Sequence, residues 1–202
     1  MTVEQLPRQY TIEEYLAMEA QAQEKHEYYN GKVVRMSGGI DLHNEIAANI
    51  IAALKAVLKK KKEAYKLYTS DMKIQIEAFQ HFVYPDAVVI CKRPQFYKDR
   101  RDVIINPLLI VEVLSPTTEE YDRGMKFYKY RTLSSFHEYL LLRQDAVAAT
   151  TFYREAEDLW RTSDIQGMSA HIHLRSIDAD ISLLEVYDGV DFDELPDNTA
   201  EE

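Results

Sequence analysis

The chain has 202 residues, 46% of them hydrophobic and 29% charged, with one cysteine, Cys91, and a formal net charge of −10. That length suits a single domain with its own core, and the composition is too polar for a membrane protein and too apolar for a disordered chain. One cysteine excludes an internal disulfide framework and a Cys-rich zinc site. With no basic-then-apolar leader in "MTVEQLPRQYTIEEYL", the expected location is a reducing cytoplasm.

The acidity opposes nonspecific attraction to nucleic acid, whose phosphates are neutralised by Lys and Arg. Its distribution weakens that exclusion. From Ile177 to Glu202 there are ten acidic residues and no Lys or Arg, so residues 1–176 balance 24 acids against 24 bases. The expected organisation is one domain over residues 1–189 with an acidic tail over 190–202.

In chain order, Thr11 with Glu14 forms a capping-box pattern that opens a short helix from Ile12 to about Gln21. Asn30-Gly31, between two β-prone runs, supplies the positive φ angles of a hairpin turn, which puts Glu27 on a hairpin strand. A long helix from about Leu42 to Lys60 follows, with Ile46, Ile50, Leu54, Val57 and Leu58 on one face. The Lys59 to Lys62 run at its end complements the helix dipole and reads as a solvated helix end.

Strands are expected at "AYKLYTS", "MKIQIEA", "DAVVIC" and "LLIVEVL", the second half-buried by its alternation and the last two covered on both faces. Thr117-x-x-Glu120 is expected to cap a second helix reaching Arg131. Further strands fit "HEYLLLR", "AATTFYRE", Leu159 to Thr162 and His171 to Leu174. Ser182-x-x-Glu185 then opens a short helix ended by Gly189. The elements describe one α/β domain, a mixed central β-sheet flanked by α-helices.

Acidic residues stand where the patterning calls for apolar ones. Asp86 follows Pro85 at the head of an apolar strand, and Glu112 interrupts "LLIVEVL". A carboxylate among apolar neighbours costs several kcal/mol unless a cation or donors compensate it. Asp122, Lys126 and Tyr130, four residues apart, share one face of the next helix, which can bring Lys126 to Glu112 as it returns across its strand. Two carboxylates, a backbone carbonyl and a Lys suit a hard divalent cation such as Mg²⁺ and the hydrolysis of a phosphodiester.

Pro85-Asp86 followed by Glu112-Val113-Leu114 resembles the PD-(D/E)XK nuclease superfamily. "EYYNGKVVRMS", "YPDAVVI", "IVEVLSPTTEEYDRGMK" and "HEYLLL", in that order from Tyr10 to Tyr187, resemble more closely the Uma-two family, whose members are read as restriction endonucleases. The resemblance implies a restriction-endonuclease-like core and a DNA endonuclease. Asp86, Glu112 and the Val113 carbonyl would hold Mg²⁺, with Mn²⁺ as substitute, and Glu27 would be an additional metal or water contact. The position two after Glu112 is Leu114 rather than Lys. In similar families the Lys has moved to the next helix, where Lys126 fits and Lys129 is the fallback.

His43 is open to two readings, a phosphate or metal-water contact, or a capping and packing residue. His26, the pair His171 and His173, and Cys91 are read as structural. The alternative function is a catalytically inert nuclease fold that binds nucleic acid or serves assembly; a third is a carboxylate-pair glycoside hydrolase. Class behaviour favours a homodimer, and no membrane partner is expected.

Overall fold

A computed structural model describes residues 8–36, 38–39 and 41–192. It opens with α1 (Ile12–Glu19), whose Thr11 and Glu14 form both halves of the expected capping box. The hairpin of β1 (His26–Tyr29) and β2 (Lys32–Arg35) turns on Asn30 and Gly31, at φ 44° and 95°. The long helix is α2 (Asp41–Leu58). Then come β3 (Tyr65–Thr69), β4 (Lys73–Ile76), β5 (His81–Val83), β6 (Ala87–Cys91), β7 (Val103–Ile104) and β8 (Leu109–Leu114).

The second helix is composite, α3 (Glu119–Tyr121), a π-helical turn (Asp122–Lys126) and α4 (Phe127–Tyr130). Its expected cap is corrected. The helix starts after Thr118, which makes no side-chain cap, because the Ser115 hydroxyl is hydrogen-bonded to both Thr117 and Thr118. The chain continues through β9 (Glu138–Arg143), β10 (Ala148–Ala156), β11 (Leu159–Gln166), β12 (His171–Leu174), β13 (Ala179–Ser182) and α5 (Leu183–Val186).

The expected mixed central sheet flanked by helices is β11-β10-β9-β8-β6-β3, and the described strands form two further sheets beside it, β2-β1-β5-β4-β7 and the hairpin β12-β13. Each larger sheet is mixed, with β4 parallel to β7 and β8 parallel to β9. The expectation of a half-buried "MKIQIEA" strand is also corrected. All four residues of β4 are buried, Lys73 with its ammonium on the Tyr84 hydroxyl and the Asp102 carboxylate rather than in water.

In the larger sheet the side chains alternate between two cores. Val111 and Val113 of β8 pack with Ile46, Ile50 and Leu54 of α2, whereas Ile110 and Leu114 pack with Tyr130 and Tyr139 on the other side. Period-2 alternation assigns Glu112 to this second face, so the unbroken apolar run of β8 follows from cover on both sides. Near the end of the chain, Ser182 caps α5 and Val190 and Phe192 pack on the α2 core. The remainder of the expected acidic tail lies outside the described residues.

Candidate active site

β8 delivers Glu112, 4% exposed, into the space beneath the composite helix. Lys126 Nζ lies 2.7 Å from Glu112 Oε1 and 3.3 Å from Asp122 Oδ1, and the Tyr130 hydroxyl donates to Glu112 Oε1 at 3.2 Å. Asp122, Lys126 and Tyr130 therefore share a face, as their spacing predicted. The π-helical turn lies between Asp122 and Lys126, where it sets the register of the two charged groups.

Asp86 stands one residue before β6, whose Ala87 is paired with Val111, so it adjoins Glu112 across the strand pair. Its Oδ2 accepts from the Val113 amide at 2.7 Å, and its Oδ1 lies 3.0 Å from Nε2 of His43 in the first turn of α2. Two of the sequence's candidates, His43 and Asp86, are thus in direct contact. The structure brings the Val113 backbone to the Asp86 carboxylate through its N–H.

Glu27 reaches the same region from the other sheet. Its Oε1 accepts from the Tyr84 amide at 3.0 Å, two residues before Asp86, and its Oε2 accepts from the Tyr29 hydroxyl. Lys129 is not at the carboxylates. Its ammonium lies over the rings of Tyr29 and Tyr121 at 5.4 and 5.1 Å and donates to the Tyr121 hydroxyl at 3.2 Å. Geometry separates the two lysines: Lys126 faces Glu112, and Lys129 is held among aromatic rings.

The electrostatics follow from crowding acids around one buried ammonium. Burial raises the Glu112 carboxyl well above its usual range; Lys126 opposes the rise, while Asp122 and Asp86 add to it. Burial works against the Lys126 ammonium, but Glu112, Tyr130, Asp122 and Glu27 outweigh it and hold Lys126 charged. For His43, burial also opposes the charge, yet the hydrogen bond and charge of Asp86, with Asp122, raise its pKa. Three carboxyl groups, those of Asp86, Glu112 and Asp122, thus gather around Lys126 and His43.

Hard oxygen donors at low exposure are the kind of donor set a divalent cation takes, and Asp86 and Glu112, with the Val113 backbone adjacent, supply them. Among the described residues no group of three His, Cys, Asp or Glu side chains converges as a ligand set. Any cation would therefore draw its remaining ligands from backbone, water or substrate.

A second buried network supports this one and was not legible in the sequence. The Tyr84 hydroxyl donates to Glu19 Oε1 at 2.8 Å and lies 3.0 Å from Lys73 Nζ, which pairs with Asp102 at 2.9 Å. Glu19 also holds the His26 amide and ring. Tyr29 is a second residue the sequence reading missed, although its position two after Glu27 on one strand was the available signal. His173 is paired with Asp180 across the β12-β13 hairpin, a carboxylate that its sequence neighbourhood does not supply.

The matching proteins agree with this architecture. A solved structure described as a "putative nuclease belonging to DUF820" from Anabaena variabilis superposes with a TM-score of 0.70 over 88% of this chain and 97% of its own, at 15% identity, which shows the shared fold. Two uncharacterized proteins of Synechocystis sp. are similar along most of their length. One, sll1609, is 32% identical over 80% of this chain and 90% of its own; the other, slr1290, is 34% identical over 89% and 92%. The family model Uma2, described as "Putative restriction endonuclease", matches residues 12–184, and the chain belongs to that family.

Proposed function

We propose that this protein is a divalent-cation-dependent endonuclease that hydrolyses DNA phosphodiester bonds. The observation that carries the reading is the pairing of Lys126 with Glu112 at 2.7 Å, beside Asp86, in a buried cluster of carboxyl groups. In this reading Asp86, Glu112 and the Val113 carbonyl hold Mg²⁺, or Mn²⁺ in its place. The ion, when bound, would polarise the phosphodiester and acidify a water.

The chain's own residues supply the rest. Lys126 is kept protonated by Glu112 and Asp122, which suits an ammonium that orients the attacking water and stabilises charge on the phosphoryl oxygens. His43 fixes the rotamer of Asp86 by taking one of its oxygens. In this reading Glu27, which accepts from the Tyr84 amide and the Tyr29 hydroxyl, is an additional metal or water contact. A homodimer would put two such sites on one duplex; sedimentation showing only monomer at micromolar concentration would remove that part.

Nicking of supercoiled plasmid with Mg²⁺ or Mn²⁺ tests the function. The native protein should cut, and Asp86→Ala and Glu112→Gln should not. One observation favours a second reading, an inert nuclease fold that binds DNA: both Asp86 oxygens and Glu112 Oε1 are already engaged within the protein. That reading gains if several DNA forms remain intact while DNA binding survives Glu112→Gln.

A further inference from the structure

Five aromatic rings form an unbroken line from the solvent to the candidate site. Tyr128, 56% exposed on α4, meets Phe79 edge-on at 5.9 Å, and Phe79 lies 5.8 Å from the His81 ring. His81 meets Tyr29 at 4.7 Å, and Tyr29 meets Tyr121 at 6.2 Å. The inner end is anchored to the carboxylates, because the Tyr29 hydroxyl donates to Glu27 and Tyr121 immediately precedes Asp122. Lys129 lies over the two inner rings, so a cation accompanies the line.

Two features distinguish this line from ordinary core packing. Its outer member is exposed, and Met125, three residues before it on the same composite helix, is also exposed at 53%. In addition, Nδ1 of His81 is buried without a hydrogen-bond partner among the described residues, an orphan polar atom in the middle of the line. Burial and the charge of Lys129 lower the His81 pKa to about 4, so the ring is neutral near pH 7 and retains both a donor and an acceptor.

At the outer end, the exposed Tyr128 ring, backed by Phe79 and leading inward to the candidate site, offers the aromatic surface on which unstacked nucleobases stack. A base within a duplex has no free face to offer. We infer that the Tyr128–Phe79 end of this line is a stacking platform for unpaired DNA bases, and that it directs the neighbouring site to single-stranded or locally opened DNA. The inference rests on the nuclease reading for its substrate, but it makes its own prediction about binding.

The test is binding in EDTA of a single strand of about 12 nucleotides carrying 2-aminopurine, against the same sequence as a duplex. The native protein should bind the single strand at least tenfold more tightly and quench the 2-aminopurine. Tyr128→Ala should weaken single-strand binding about 5- to 100-fold with little effect on the duplex. Tyr128→Phe, which keeps the ring, should restore it. Tyr128 is exposed and outside the carboxylate cluster, so a circular-dichroism melt should confirm that both variants fold.

Equal binding of single strand and duplex, or no loss in Tyr128→Ala, overturns the platform. The two ideas fail separately. Single-strand preference lost in Tyr128→Ala, together with no cleavage under any metal, leaves the platform and removes the nuclease. Cleavage of duplex and single strand alike, unchanged in Tyr128→Ala, does the reverse.

Discussion

Lys126 Nζ and Glu112 Oε1 are 2.7 Å apart, one carried by a π-helical turn and the other by a central strand, and both side chains are less than 10% exposed. Each group is tolerable in the core only because the other is there. Lys126→Met should strand Glu112 beside Asp122 and Asp86 and cost about 3–5 kcal/mol in urea unfolding. Adding Glu112→Gln should recover much of that loss, so the two changes will be strongly non-additive. Independent, additive costs would show that the pair is not coupled.

Metal removal gives a second expectation, one that needs no substrate. If Asp86 and Glu112 hold a cation, saturating Mg²⁺ should raise the thermal midpoint, by an amount equivalent to ~2.7 kcal/mol at one hundred times the dissociation constant. EDTA should reverse it. Asp86→Asn should abolish the shift and reduce plasmid nicking at least ~100-fold, on the scale of several kcal/mol of lost transition-state stabilisation. A native protein whose melting is indifferent to Mg²⁺ and Mn²⁺ would count against the cation site.

Acid stability should report on His81. The ring is 7% exposed and faces Lys129 of α4, Tyr29 of β1 and Phe79, and its folded pKa of about 4 lies below the ordinary 6.5. Between those values the unfolded chain binds the extra proton, so stability is full above pH 6.5 and falls as the pH is lowered towards 4. Allowing for solvent screening, the loss should be about 1–2 kcal/mol. His81→Phe should flatten this part of the urea-midpoint profile; an unchanged slope would exclude His81 as the cause.

The first hairpin offers a test of backbone conformation. Gly31 has φ +95°, and a Cβ there would run into the Gln9 side-chain amide and sit 3.7 Å from the Tyr10 carbonyl oxygen. Gly31→Ala should cost about 1–3 kcal/mol, measured as a lower thermal midpoint. Because β1 carries Glu27 and Tyr29, the same variant should also weaken the single-strand binding proposed for the aromatic line.

Much of the site could be read locally. Glu112 was conspicuous because it breaks an apolar run, and Asp122, Lys126 and Tyr130 were grouped by helical spacing. The capping box at Thr11 and Glu14 and the Asn30-Gly31 turn formed as their side-chain and backbone preferences dictate. The short strands β5 and β7 escaped notice, since two or three residues are too few to show a period. The cap at Thr117 was misplaced because hydroxyls in Ser115-Pro116-Thr117-Thr118 compete for one another.

By itself the sequence determined which residues share a face, because the alternation of a strand and the turn of a helix are set by the backbone within a few residues. Only the tertiary structure decided which faces meet. It placed Lys126 on Glu112 and Lys129 over Tyr29 and Tyr121, although the two lysines are three positions apart on one helix. It joined His43 to Asp86 and Glu27 to Tyr84 across 43 and 57 positions of chain. Such contacts depend on how sheets and helices close over one another to bury apolar surface, a global balance that no local pattern encodes.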